Sequence, residues 1–242
     1  MKLTIVIPVT DDTGDLGKKE MELVRGRLLP DTELEAVTIG KGFPAIESEL
    51  HAVFNAPSVV LAAQAAYERG SDGIFVDCFD DPGVFACREL LPIPVLGGYR
   101  PALGTAQLLA ERYAVITTDR AGIQSEERKA RAHGFHPAVI RAVDMEVLEL
   151  RDDQDELLRR LTAACLDLWE TERCTAAVLG CTGMCGVAER LGQALREAGA
   201  PMTVVEPYCT GLLQLESLVR LGYRNHVPGP ALALDGLDWH ER

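Results

Sequence analysis

Along this chain, short runs of aliphatic and β-branched residues alternate with longer stretches of mixed polarity. The short runs lie at 3–9, 34–39, 73–77, 94–96, 113–118, 138–143, 176–179 and 202–205. Each is brief and bounded by glycine, proline or charge, so each is expected to be a strand. Ile74-Phe75-Val76, Ala114-Val115-Ile116 and Ala177-Val178-Leu179 are apolar without alternation. Strands of that kind are buried on both faces, as in a parallel sheet covered by helices.

The intervening stretches carry apolar residues at helical spacing. Helices are expected over 56–69, 82–90, 102–112, 120–133, 153–171, 187–198 and 211–221. Pro57 suits the first turn of the first of these, and Gly70 and Gly134 fall where helices stop. Over 153–171, Leu157, Leu158, Leu161, Cys165 and Leu168 share one face. Strands alternating with helices imply βαβ units, and right-handed crossovers put helices on both sides of the sheet.

One internal echo stands out. Gly73-Ile74-Phe75-Val76-Asp77-Cys78 is followed by Gly83-Val84 and a helix ending in Arg88-Glu89-Leu90. Ala176-Ala177-Val178-Leu179-Gly180-Cys181 is followed by Gly186-Val187 and a helix containing Glu189-Arg190-Leu191. In both copies the cysteine directly follows an apolar strand. The copies lie almost half a chain apart, which suggests two similar α/β lobes, each offering one cysteine.

Composition narrows the class. The 242 residues are 47% hydrophobic and 25% charged, the balance of a folded globular protein. A net charge of −13 repels phosphate backbones, so no nucleic-acid partner is expected. No apolar run approaches the roughly 20 residues of a membrane helix. The opening apolar run meets Asp11 and Asp12 and lacks a cleavage site, so it is read as a buried strand and the protein as cytoplasmic. Seven cysteines, an odd number, argue against a disulfide framework.

A free cysteine is usually a small buried hydrophobe, and Cys87, Cys165, Cys174 and Cys209 are read that way. Cys78 and Cys181 are different because both end strands. Ligands of open α/β sheets bind beyond the carboxyl ends of the strands. A following helix offers N–H groups and the positive end of its dipole, which lowers a thiol's pKa. Inverting a stereocentre through a carbanion needs a proton removed from one face and returned to the other. Two thiols on opposite walls can do this if one is thiolate while the other is thiol. Backbone N–H groups at Phe79-Asp80 and Thr182-Gly183 are expected to hold the negative charge of the intermediate.

Other features carry less. Cys181 and Cys185 are spaced neither as zinc ligands nor as a C-x-x-C redox pair, so no metal site is expected. Gly97-Gly98 and Gly40-Lys41-Gly42 complete no dinucleotide or phosphate fingerprint and are read as turns. Asp80 and Asp81 are expected to cap the next helix.

Cys78-Phe79-Asp80-Asp81-Pro82-Gly83 and Leu179-Gly180-Cys181-Thr182-Gly183-Met184 resemble the two cysteine motifs of the aspartate/glutamate/hydantoin racemase superfamily, and most of all those of hydantoin racemases. Ile93-Pro94-Val95 and Thr117-Thr118 also fall where that family pattern has them. The resemblance implies two pseudo-symmetric Rossmann-like lobes with parallel four-stranded sheets and the active site in the cleft between them. It implies a first lobe of 1–97 plus 207–242 and a second of 98–206. It implies a cofactor-independent racemase in which Cys78 and Cys181 each handle the proton on one face. Thr117 and Thr118 would bind substrate oxygens, and Thr10, Phe79, Asp80, Thr182 and Gly183 complete the expected substrate contacts. The family's first strand usually ends in Asn-Pro-Asn-Thr, where this chain reads Ile7-Pro8-Val9-Thr10, and its last strand is often followed by Asp-Gly, where this chain has Glu206-Pro207. Both changes are expected to border the pocket. The expected activity is proton transfer at the stereocentre of a 5-substituted hydantoin or related carbon acid. An aspartate/glutamate-type racemase and a catalytically silent small-molecule binder are the alternatives. A small-molecule substrate and a homo-oligomer are the expected partners.

Overall fold

Among the described residues of the computed structural model, 1–11 and 16–227, the apolar runs become eight strands in two sheets. The first sheet contains β1 (Lys2–Ile7), β2 (Glu33–Thr38), β3 (Gly73–Val76) and β4 (Val95–Gly97) in the order β2-β1-β3-β4. The second contains β5 (Tyr113–Thr117), β6 (Val139–Ala142), β7 (Ala176–Leu179) and β8 (Thr203–Val205) in the order β6-β5-β7-β8. All neighbours are parallel. Adding four to each strand number turns the first order into the second, so the repeat in the sequence is a repeat of topology.

Among the described residues, nine α-helices lie between or after these strands: α1 (Lys18–Arg25), α2 (Glu49–Glu68), α3 (Val84–Leu90), α4 (Tyr99–Leu109), α5 (Gly122–Ala132), α6 (Glu149–Asp152), α7 (Gln154–Thr171), α8 (Ala188–Glu197) and α9 (Pro207–Arg220). Among the described residues, none is long and apolar enough to cross a membrane. Each sheet is packed on both faces. Val59, Ala63 and Val84 cover one face of the first sheet, and Val24, Leu212 and Leu215 cover the other. Leu157, Leu161 and Leu191 cover one face of the second, and Tyr99, Leu103 and Ala106 cover the other. Every residue of β3 and β7 is buried, which is why these strands read as unbroken apolar runs. Burying one such side chain fully is worth roughly 1.5–3 kcal/mol.

The last helix returns to the first sheet. A Cβ at Gly211 would lie 2.3 Å from Phe75 Cε2, so glycine lets α9 close onto β3. The expected first-lobe segment 228–242 lies outside the described residues.

Several boundaries differ from expectation. α2 starts at Glu49, not at residue 56, and Pro57 lies inside it. Ser48 caps it by accepting from the His51 N–H at 3.2 Å. The turns before Pro57 are anchored by buried Asn55, whose Nδ2 donates to the Pro8 carbonyl at 2.7 Å and the Phe43 carbonyl at 3.1 Å. α4 begins at Tyr99, directly after Gly98, and α1 forms in a charged stretch where no helix was expected. α9 begins at Pro207 because the Glu206 carboxylate accepts from the N–H groups of Tyr208 at 2.6 Å and Cys209 at 2.8 Å.

Candidate active site

β3 and β7 occupy equivalent positions, each between two partners, and each delivers its cysteine past the strand end. The residue before each cysteine donates to the neighbouring strand: Asp77 N–H to Val6 O at 2.9 Å, and Gly180 N–H to Ile116 O at 2.7 Å. Two residues beyond each cysteine, a backbone N–H points at the sulfur. Asp80 donates to Cys78 Sγ at 3.4 Å, and Gly183 donates to Cys181 Sγ at 3.3 Å. The Thr182 hydroxyl donates to the Asp77 carbonyl at 3.3 Å and ties the two strand ends together.

Cys78 and Cys181 both border the same two cavities. The first, here called the outer cavity, is about 60 Å³, has a lining of evenly mixed polarity and is also bordered by Phe79, Asp80, Thr117, Thr118 and Glu126. The inner cavity, about 110 Å³, is mostly apolar and is bordered by Pro8, Val9, Ile46, Val147 and Thr182 among others. Two interactions involve residues that border the outer cavity: the Val147 N–H donates to Glu47 Oε1 at 3.2 Å, and Arg128 pairs with Glu49.

The electrostatics reverse one expectation. The thiols were expected to have lowered pKa values, but burial pushes Cys78 well above the usual thiol range, with the Asp80 charge adding to it. Burial also pushes Cys181 up to about 12, against the help of the Gly183 N–H. Both cysteines nevertheless keep part of their surface accessible. Both shifts favour the thiol form.

Two carboxyl groups stand beside them. Asp77 is buried, and desolvation pushes it up to about 7 against a Thr182 hydrogen bond and the Arg151 charge. Its Oδ1 has no partner among the described residues. Glu126, itself buried, belongs to a triad with two half-buried partners: Lys129 Nζ lies 2.8 Å from Glu126 Oε1 and 2.7 Å from Asp80 Oδ1. The same ammonium sits 4.3 Å from the Tyr99 ring centroid. Burial works against the Lys129 charge, but Glu126 and Asp80 outweigh it and hold the ammonium firmly cationic. Burial pushes Glu126 up to about 7, with Lys129 opposing it.

Of the residues expected at the site, Phe79, Asp80, Thr117 and Thr118 border the outer cavity, and Thr182 and Gly183 border the inner one. Phe79 is also core, packed edge-on to Tyr99 at 4.9 Å. Thr10 borders neither cavity; Pro8 and Val9 do. Glu206 also borders neither, because its carboxylate is spent on capping α9. The N–H groups of Asp80 and Gly183, expected to hold a substrate anion, face the sulfurs instead. Asp81 does not cap α3, whose N-cap is Gly83. It takes a left-handed backbone (φ 51°) and accepts from the Tyr99 N–H at 3.1 Å. Gly97 and Gly98 are more than turn residues. A Cβ on Gly97 would lie 2.1 Å from Asp81 Oδ1, and one on Gly98 would lie 3.1 Å from Thr182 Cγ2.

Glu126 and Lys129 had not been singled out. Their spacing reads as an ordinary solvated pair on a helix, and nothing local says that they are buried. Among the described residues, no group of three or more His, Cys, Asp or Glu side chains is arranged to hold a metal ion.

Comparison with known proteins agrees with the two-sheet fold. Residues 17–211 match the family described as Asp/Glu/Hydantoin racemase. A hydantoin racemase of Pseudomonas sp. (strain NS671) is 28% identical over 224 residues, which is 92% of this chain and 87% of that protein. The solved allantoin racemase of Klebsiella pneumoniae superposes with a TM-score of 0.84 at 28% identity, covering 93% of this chain and 90% of that one. The allantoin racemase of Pseudomonas fluorescens gives a TM-score of 0.85 at 26% identity, covering 97% and 100%.

Proposed function

Because the chain belongs to the Asp/Glu/hydantoin racemase family, we propose that it racemises a 5-substituted hydantoin or a closely related carbon acid by two-thiol proton transfer. The observation that carries this reading is that Cys78 and Cys181, from two different sheets, border the same two cavities. One sulfur, as thiolate, removes the proton from the stereocentre. The other, as thiol, delivers a proton to the opposite face. The roles exchange for the other enantiomer. Each sulfur faces one backbone N–H, which stabilises whichever of them carries the charge.

The surroundings suit a compact ring. Both cavities are smaller than the roughly 300–1,000 Å³ of pockets for drug-sized ligands. The Thr117 and Thr118 hydroxyls, buried at the strand end, donate to a substrate carbonyl as it gains negative charge. The apolar substituent lies toward Pro8, Val9 and Ile46. In this reading residues 1–97, rejoined from 207 onward, carry Cys78, and 98–206 carry Cys181. All seven cysteines are free, which suits a reducing cytoplasm.

The test is solvent exchange. In heavy water the wild type should place deuterium at C5 of either enantiomer of a 5-alkylhydantoin while optical rotation decays to zero. Racemisation that leaves C5 protonated overturns the mechanism, and absence of racemisation overturns the function.

A further inference from the structure

Glu126 is not fully explained by the contacts it makes. It lies on α5, is only 5% exposed, and borders the outer cavity beside both cysteines. Its Oε1 receives Lys129, but its Oε2 is buried without a hydrogen-bond partner among the described residues. A buried carboxylate oxygen with nothing to accept from is costly, and it is a standing acceptor for a donor that arrives with a ligand.

The charge around it limits that donor. Asp80, Asp119, Glu47 and Glu49 also border the outer cavity, and no lysine, arginine or histidine does. The nearby Lys129 is already shared between two carboxylates, and Arg151 of the inner cavity pairs with Glu20 at 3.2 Å. A second carboxylate on a substrate would meet like charge here. An amide or ureide N–H would meet an acceptor.

We infer that Glu126 is a specificity-determining residue whose free Oε2 accepts an N–H of the substrate, so that the outer cavity selects the N–H edge of a neutral ureide over a dicarboxylate. This rests on the racemase reading for its turnover measurements, but not for its binding measurements. Thr117 and Thr118 then face the carbonyl of the same ring while Glu126 faces its nitrogen, which fixes the ring between the two sulfurs. The sequence motif around the cysteines does not contain this residue.

The experiment, run at pH 8 so that Glu126, raised to about 7, is mostly ionised, compares wild type with Glu126→Gln on 5-isopropylhydantoin, on its 1-methyl and 3-methyl derivatives, and on aspartate and glutamate. Racemisation is followed by polarimetry, and binding by calorimetry. Wild type should prefer the parent over one of the N-methyl derivatives by about 10–100-fold in kcat/KM, the range for a buried hydrogen bond to a charged group. Glu126→Gln should lose that factor on the parent and no longer distinguish the parent from that derivative. Thermal unfolding checks that the variant is folded. If it is not, the wild-type preference among the derivatives decides alone.

Equal rates for Glu126→Gln and wild type on the parent, or a wild type indifferent to both N-methylations, overturn the assignment. So does tighter binding of aspartate or glutamate than of the hydantoin. Glu126-dependent binding without racemisation leaves the assignment standing and removes the racemase reading. A protein that neither binds nor turns over the hydantoin overturns both.

Discussion

Asp77 and Gly180 hold the same place in their sheets and make the same backbone hydrogen bond, yet one is a buried carboxyl and the other has no side chain. The halves agree in what the proposed proton transfer needs: a sulfur past the central strand and an N–H two residues on. They differ in what surrounds it. Past β1 the chain offers Pro8 and Val9 to the apolar inner cavity, whereas at the end of β5 it offers Thr117 and Thr118 to the more polar outer one. A Cβ on Gly180 would lie 2.8 Å from Ile116 O and 3.1 Å from Thr117 Cα, so glycine brings the two strand ends of the second half together. A racemase acting on both enantiomers needs near-equivalent bases but a single way of holding the substrate. Under the proposed mechanism, symmetric sulfurs in asymmetric walls supply both.

The largest expected effect comes from removing either sulfur. Cys78→Ala and Cys181→Ala should each lower racemisation by about 10²–10⁴-fold, the usual contribution of a general acid or base. If the halves serve opposite faces, each variant should keep slow deuterium exchange with one enantiomer, and the two variants should keep opposite hands. Retention of the same hand by both would break the comparison. NMR of single enantiomers in heavy water decides.

The pH profile comes next. The burial-raised thiols leave little thiolate at neutral pH, and the thiolate fraction grows tenfold per unit below the pKa. Between pH 6 and 8, kcat/KM should therefore rise by up to about 100-fold. A flat profile over that range would mean that one thiol is ionised before substrate binds.

Backbone closeness gives the third effect. Gly180→Ala should destabilise the fold by about 1–3 kcal/mol through overpacking against β5, as read from denaturant unfolding. An alanine tolerated without loss would mean that the second half does not need its glycine.

The smallest effect concerns Asp77. Its folded pKa of about 7 lies above that of an unfolded aspartate. Its contribution is therefore fully present below about pH 4 and is lost as pH rises through 7. At pH 8 the fold carries a desolvated charge that asparagine would remove. Asp77→Asn should raise stability at pH 8 by roughly 1–2 kcal/mol and by much less at pH 5, seen in melting temperatures at the two values.

The linear pattern by itself determined the strands, the doubling of the α/β unit and the prominence of Cys78 and Cys181. Buried parallel strands leave continuous apolar runs, and a repeated strand-cysteine-glycine spacing is visible without coordinates. Tertiary structure alone decided the rest. Burial is a long-range property, so the sequence suggested lowered thiol pKa values where packing raises them. Asp81 looked like a helix cap until the close approach of Gly97 gave it Tyr99 to hold. Glu206 looked like pocket lining until α9 claimed its carboxylate. Glu126 and Lys129 read as a surface pair because charge and spacing are local, while the cavity that Glu126 borders is lined from both sheets, which are far apart in the chain.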